Sequence, residues 1–186
     1  YSSHPLKPTN TNNIEALRLM KKVITNSDYN LSSDVSMGID IASSSFYKKR
    51  KYFLKDKITP YNPKELTLLY QKLISEFNII YLEDPFSEDD WNSWQEGFNR
   101  LSKDSLIVGD DLTVTNPNRL KMALSKNAIN GIIIKPNQIG TISQTLEVVK
   151  IARLNNLKVI VSHRSAESMD DFIADFAIGV GADYVK

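Results

Sequence analysis

The chain has 186 residues, of which 41% are hydrophobic, and its 23 Lys+Arg against 22 Asp+Glu leave a formal net charge of +1. This composition suits a globular domain with a sizeable core, and the balanced charge favours neither a nucleic-acid nor a membrane partner. There is no cysteine, so a disulfide framework and a thiolate metal site are both excluded. Because the sequence has no bilayer-length apolar run and no signal-like start, we expect a cytoplasmic protein.

Helix-like and strand-like segments alternate along the chain after a polar, loop-like start at residues 1–13. Apolar residues at helical spacing predict helices over residues 14–25, 63–77, 91–101, 116–125, 143–155 and 170–179. Short apolar runs predict strands over residues 35–40, 79–85 with an exit turn, 106–111, 131–135, 158–163 and 182–186. The basic run at residues 48–51 is interpreted as a solvated loop.

This alternation predicts a parallel sheet with right-handed crossovers. Successive strand ends from Glu83 onward are 27, 25, 28 and 23 residues apart, which is about the length of one strand, one helix and two loops. An open doubly wound sheet would show the same alternation, but its usual Gly-rich turn after the first strand is missing. We therefore predict an α/β fold, a (β/α)8 TIM-like barrel that is incomplete here, with about six of its eight strands.

Charged side chains stand at the ends of these strands. Asp40, Glu83 and Asp110 supply one carboxylate each from three successive strands, a set of hard oxygen ligands that suits Mg²⁺. Taken singly, Asp110 and the aspartate after Glu83 are equally typical of turns and helix caps, and Lys135 of a side chain that reaches solvent. In register along a barrel they point instead to one site, in which Lys135 faces the metal and acts as a base.

Cationic and hydroxyl donors end the last two predicted strands. Arg164 offers a fork that fits a phosphate and Ser165 adds a neutral donor, although an isolated His163-Arg164 pair would also suit a solvated loop. Lys186 brings a further cation, suited to a carboxylate. The implied ligand is a small di- or trianion, and the implied reaction removes a proton next to a carboxylate whose enolate form the metal stabilises.

Six segments of the sequence closely resemble the enolase family, the glycolytic phosphopyruvate hydratases. They read SMGIDIASS at 36–44, LEDPF at 82–86, DDW at 89–91, GDDLTVTNP at 109–117, IKPNQIG at 134–140 and SHRS at 162–165. The resemblance runs from about residue 14 to residue 186, in order and with the family's spacing. It implies that residues 1–186 are part of the family's C-terminal barrel domain, without its N-terminal α+β domain.

The resemblance also implies a role for each residue at the strand ends. Asp40, Glu83 and Asp110 are expected to bind the catalytic Mg²⁺, and Lys135 to remove the carbon-2 proton of 2-phosphoglycerate on the way to phosphoenolpyruvate. His163, Arg164 and Ser165 are expected to contact the phosphorylated substrate and Lys186 its carboxylate, with Glu83, Asp110 and Lys135 also against the substrate. The resemblance further implies a homodimer in the full-length form.

The sequence departs from the family pattern in three places. Ser45 stands where the family has glutamate, and Ala166 where it has glycine. The family's general-acid glutamate is expected around residues 3–5, yet residues 1–8 contain no glutamate and no glycine. Two alternatives therefore stay open: a non-catalytic enolase-like binding or structural protein, and another enolase-superfamily enzyme acting on a different carboxylate. By itself, this segment is expected to be inactive.

Overall fold

The computed structural model describes residues 13–55, 57–165 and 168–186. Its elements in chain order are α1 (Asn13–Thr25), β1 (Met37–Asp40), β2 (Tyr47–Lys48), β3 (Lys51–Tyr52), α2 (Pro63–Phe77), β4 (Ile79–Glu83), α3 (Trp91–Leu101), β5 (Leu106–Gly109), α4 (Pro117–Ser125), β6 (Gly131–Ile134), α5 (Pro136–Ile139), α6 (Ile142–Leu154), β7 (Lys158–Val161), α7 (Phe172–Gly179) and β8 (Tyr184–Val185). A 3₁₀ turn, Ser43–Phe46, follows β1. None of the helices in these ranges is long and apolar enough to cross a membrane.

The predicted helices and strands are confirmed, and those over residues 63–77 and 91–101 agree at both ends. Local signals explain that agreement for α2. The side chain of Asn62 accepts from the backbone N–H of Glu65, whose own side chain accepts from the Asn62 N–H, so the first turn is capped from both sides. Asn78 ends the helix in the left-handed region at φ 52°, a conformation that asparagine adopts more readily than most residues.

The predicted loop at the basic run is wrong, because this segment is a β-hairpin. β2 and β3 pair antiparallel, and Lys49 and Arg50 form the turn with φ of 51° and 59°. Two positive φ values are typical of the tight hairpin turn that matches strand twist. The rings of Tyr47 and Tyr52 lie 4.7 Å apart and Tyr52 is fully buried, so aromatic packing holds a hairpin whose charged residues stay exposed.

Six strands form one parallel sheet in the order β1-β4-β5-β6-β7-β8, and the described residues place β2 and β3 in a separate pair. Every neighbouring pair in the large sheet is parallel. The side chain of Lys186, just after β8, reaches the carboxylate of Asp40 at the end of β1, with 3.3 Å between Nζ and Oδ2. The sheet therefore curls strongly and forms the predicted incomplete (β/α) barrel.

The core has two layers, one on each face of this sheet. Val108, Ile133 and Ile160 pack together on the inner face, with Tyr81 and Leu106 beside them. A larger cluster lies between the outer face and the helices, and it includes Ile132, Ile134, Val159 and Val161 from β6 and β7. All three isoleucines of β6 have no exposed surface, so this strand is buried on both faces as its sequence predicts.

Candidate functional site

Side-chain alternation brings the predicted site residues to the inner face of the barrel. Side chains two residues apart point to the same side of a strand. Glu83 therefore shares a face with Tyr81, and Asp110 and Lys135 continue the inward positions of Val108 and Ile133. The mouth is the name used here for the carboxyl ends of the parallel strands, where these charged groups meet.

Asp110 and Lys135 form an ion pair at the mouth. Lys135 Nζ donates to Asp110 Oδ2, and the two side chains are only 14% and 10% exposed. The Lys135 backbone is held as well, because its N–H donates to Thr115 Oγ1 at 2.9 Å and that hydroxyl donates to Gln138 Oε1 at 2.8 Å. The lysine at the end of the isoleucine strand therefore turns toward a carboxylate rather than toward solvent.

Lys186 bridges the other two predicted carboxylates. Its Nζ lies 2.7 Å from Glu83 Oε1 and 3.3 Å from Asp40 Oδ2. Glu83 has no exposed surface, and Tyr81 donates to its second oxygen, Oε2, at 2.7 Å. Burial raises the pKa of Glu83 against the opposing hydrogen bonds from Lys186 and Tyr81. Burial alone would lower the pKa of Lys186, but contact with Glu83 outweighs it and raises that pKa.

Asp84 is a buried acid to which the sequence analysis gave only a local turn role. Its Oδ1 accepts the N–H of Asp110 at 3.0 Å and its Oδ2 the N–H of Asp111 at 2.8 Å. Burial raises the pKa of Asp84 to about 8, although these two N–H groups oppose the shift. Asp84 thus braces the loop after β5, and no local spacing reveals this because its partners lie 26 and 27 residues further along the chain.

Two sets of carboxylates at the mouth share Asp110 and are candidates to hold a metal ion. In the first, oxygen atoms of Asp84, Asp110 and Asp111 lie within 4.8 Å of one another. Both oxygens of Asp84 are already held by backbone N–H groups, which weakens that set as a ligand cage. The second set is the predicted Asp40, Glu83 and Asp110. Among the described residues its oxygen atoms do not all come within 4.8 Å of one another, and Lys186 lies between Asp40 and Glu83.

Asp110, which both sets share, has a ligand atom that needs a partner. Asp110 Oδ1 is buried and has no hydrogen bond to any described residue. A buried carboxylate oxygen in that state is costly, and a cation at the mouth would satisfy it. Lys186 supplies the positive charge between the other two members, so this part of the mouth already stabilises a cation. The donor set is entirely oxygen, which suits hard divalent ions such as Mg²⁺.

The predicted phosphate contacts lie in the segment after β7. His163, Arg164 and Ser165 are all exposed. The His163 N–H donates to the backbone oxygen of Lys186 at 3.2 Å, and Arg164 Nη1 lies 3.5 Å from Asn137 Oδ1. The segment therefore lies between the ends of β6 and β8, at the rim of the mouth.

Of the three positions that depart from the family pattern, the structure describes only Ser45. Ser45 is exposed in the 3₁₀ turn, and its hydroxyl donates to the backbone oxygen of Ala42 at 2.8 Å. Ala166 and the expected general-acid position at residues 3–5 lie outside the described residues.

The fold and the mouth together define a (β/α)-barrel domain with its charged residues at the carboxyl ends of the strands, where such barrels carry their functional groups. Residues 5–186 match the family model described as Enolase, C-terminal TIM barrel domain. The chain belongs to the enolase family, as its motifs predict. Proteins named enolase from Saccharolobus islandicus (strain M.14.25) and Saccharolobus solfataricus are each 42% identical to it over 186 residues, 99% of this chain. An enolase from Helicobacter acinonychis is 39% identical over 180 residues, 96% of this chain. The chain spans 42% of the length of each of these relatives.

Proposed function

We propose that the full-length protein is a Mg²⁺-dependent phosphopyruvate hydratase, the carbon–oxygen lyase of glycolysis that interconverts 2-phosphoglycerate and phosphoenolpyruvate. The main support is one observation: three strand-end carboxylates and two lysines converge on the inner face of the barrel. Membership of a family whose relatives are named enolase supports the same reaction.

In this proposal Asp40, Glu83 and Asp110 hold the Mg²⁺. The unpartnered Asp110 Oδ1 and the all-oxygen donor set fit a hard divalent cation. When bound, Mg²⁺ supplies Lewis acidity that stabilises negative charge developing on the substrate carboxylate. Glu83 and Asp110 then lie against both the ion and the substrate.

Lys135 is the proposed base, and in its neutral form its Nζ takes the proton from carbon 2. The low exposure of its side chain keeps water away from that atom, and Asp110 stabilises the ammonium group that forms. The hydrogen bond from its backbone N–H to Thr115 fixes the start of the side chain, so that Nζ meets the substrate in one geometry.

The remaining cations bind the substrate in this proposal. Arg164 grips the phosphate with its planar fork, and His163 and Ser165 add donors at the rim. Lys186 binds the substrate carboxylate. Its contacts with Asp40 and Glu83 support this role, since a cation already held beside the metal ligands is well placed for an anion that shares the same ion.

Loss of the carbon-3 hydroxyl also needs a general acid. The family's glutamate has no counterpart in residues 1–8, which contain none. That observation favours a second candidate, an enolase-like protein that binds ligands without turnover. Retention of the metal, base and phosphate-binding positions argues for the enzyme, and the phosphate-suited Arg164 and Ser165 argue against a sister enzyme for an unphosphorylated carboxylate. The proposal includes an N-terminal α+β domain and a homodimer in the full-length protein, both from the family resemblance, and it keeps the cytoplasmic location expected above.

Substitution of the base tests the proposal. In the full-length protein, Lys135→Met should abolish exchange of the carbon-2 proton of 2-phosphoglycerate with deuterated solvent, while binding of Mg²⁺ and substrate stays largely intact. Exchange is measured by proton NMR. Lys121→Met, on the exposed side of α4, is the matched control and should exchange like the wild type.

Three outcomes separate the candidates. Exchange at near wild-type rate in Lys135→Met would overturn the assignment of the base. Exchange in the wild type without formation of phosphoenolpyruvate would point to a protein that lacks its general acid. Absence of both would favour the non-catalytic candidate.

A further inference from the structure

Glu83 is held from two sides, and only one of the two groups belongs to the proposed chemistry. Lys186 Nζ donates to Oε1 and the hydroxyl of Tyr81 donates to Oε2, each at 2.7 Å. Tyr81 precedes Glu83 by two residues on β4, so its ring lies below the carboxylate on the same inner face. The sequence motifs assign no role to Tyr81, and a tyrosine in a strand is ordinarily interpreted as a packing residue.

The ring of Tyr81 is fixed by the strand beside it. Gly38 on β1 pairs in register with Tyr81. A Cβ atom at Gly38 would lie 3.1 Å from Tyr81 Cβ and 3.2 Å from its Cδ1, closer than nearly all such contacts. The ring therefore occupies the space that a side chain at position 38 would need. Packing against the inner cluster of Val108, Ile133 and Ile160 immobilises it further.

This environment makes Tyr81 a hydrogen-bond donor to Glu83. Burial, and then the hydrogen bond with Glu83, raise the pKa of its hydroxyl well above the ordinary value, so it stays protonated. Its ring lies directly over Gly38 and against the inner cluster, which keeps the hydroxyl beside Glu83. A rigid donor on one oxygen of a buried carboxylate fixes the orientation of the whole group, as partners of metal ligands commonly do.

We propose that Tyr81 is a positioning residue for Glu83: its hydroxyl holds Oε2 and so fixes the direction of Oε1, the oxygen that accepts from Lys186 here and that a divalent cation at the mouth would share. This inference rests on the proposed metal site at Asp40, Glu83 and Asp110. It adds a residue that touches neither substrate nor cation and acts only through Glu83.

The test uses Tyr81→Phe in the full-length protein, because this change removes the hydroxyl and keeps the ring. Mn²⁺ is the probe, and its dissociation constant is read by electron paramagnetic resonance. We expect that constant to rise about tenfold, a typical loss for a partner of a metal ligand. The matched control is Tyr70→Phe, which removes a fully buried hydroxyl that donates to the Pro85 backbone oxygen at 2.9 Å and has no hydrogen bond to a carboxylate among the described residues. It should bind Mn²⁺ like the wild type.

A spectroscopic readout separates positioning from loss of fold. Addition of Mg²⁺ should shift the near-ultraviolet tyrosine band of the wild type and of Tyr70→Phe, because a cation beside Glu83 weakens the negative field at the Tyr81 hydroxyl. That shift should be absent in Tyr81→Phe. Gly38→Ala displaces the ring but keeps the hydroxyl, so it should also weaken Mn²⁺ binding. Its combination with Tyr81→Phe should be less than additive, since both changes act through one contact.

The outcomes for the two proposals are distinguishable. Wild-type Mn²⁺ binding that is lost in Glu83→Gln but unchanged in Tyr81→Phe overturns the inference alone. Mn²⁺ binding that survives Glu83→Gln, or no binding to the wild type, overturns the metal site and the inference together. Equal weakening in Tyr81→Phe and Tyr70→Phe assigns the effect to general packing and overturns the inference.

Discussion

The mouth of the barrel and its opposite end, called the floor here, hold their acids in opposite ways. At the floor, Asp183 accepts from Val159 N–H and Lys158 Nζ at 2.9 Å each and from Arg153 Nη1 at 2.5 Å. Burial raises the pKa of Asp183, but these donors outweigh it and lower the pKa to about 2. At the mouth, burial raises the pKa of Asp84 to about 8 and leaves Asp110 Oδ1 without a described partner.

The difference shows where the fold is stabilised and where it is made ready for a ligand. The ionised form of Asp183 is favoured by folding, so this acid stabilises the native state. The acids at the mouth lose solvation and repel one another, and a bound cation would relieve both costs. In (β/α) barrels the floor generally contributes stability and the mouth carries the functional groups, and these acids follow that division.

Glu83→Gln gives the largest expected effect, because it neutralises one charge at the mouth. In the full-length protein Mg²⁺ should raise the wild-type melting temperature by mass action, and the variant should lose most of that shift. Activity should fall on the order of 10³-fold, as expected when several kcal/mol of charge stabilisation are lost. Without Mg²⁺ the melting temperature should stay the same or rise, since a buried charge is removed.

Glu147→Gln, an identical change on the exposed side of α6, is the control and should behave like the wild type. A full Mg²⁺-dependent shift in Glu83→Gln would show that the strand-end carboxylates are not a metal site.

Arg164→Ala should have a smaller and more selective effect at the rim. Loss of a charge-assisted fork should weaken 2-phosphoglycerate binding by about 3 kcal/mol, on the order of 100-fold, and glycerate binding far less. Calorimetry on both ligands measures the difference, with Arg100→Ala on α3 as the control. Equal weakening of the two ligands would give Arg164 a structural role and favour the sister-enzyme alternative.

Asp183→Asn should give the smallest effect, and it should appear in stability rather than in function. The folded pKa of about 2 lies below the ordinary 3.8. Ionised Asp183 therefore contributes about 2 kcal/mol to the free energy of unfolding at pH values above 3.8. The contribution is lost as the pH falls through the folded pKa. Urea unfolding of wild type and variant should therefore differ at neutral pH and converge in acid, while Mg²⁺ binding is unchanged. Asp104→Asn, at an exposed acid near the floor, is the control. A gap that persists unchanged in acid would contradict the linkage.

The fold and the main charged residues follow from the sequence because their signals are local. Period and caps define helices such as α2, and an apolar run that ends on a charge marks a barrel strand such as β6. The hairpin β2–β3 was not predicted because the basic run at residues 48–51 gives no sign of the contact between Tyr47 and Tyr52, which pairs the two strands. The brace at Asp84 and the contact of Tyr81 with Gly38 depend on partners from other strands, and a single sequence does not pair strands in register.

The hydroxyl of Thr115 has a consequence for attempts to redesign this domain. It accepts from the Lys135 backbone and donates to Gln138, so it joins the loop after β5 to the segment around α5. Loops of a (β/α) barrel are often exchanged one at a time to graft new specificity onto a scaffold. Here the two connections form a single transplantable unit, and a graft of either one alone would leave the backbone of Lys135 without its anchor.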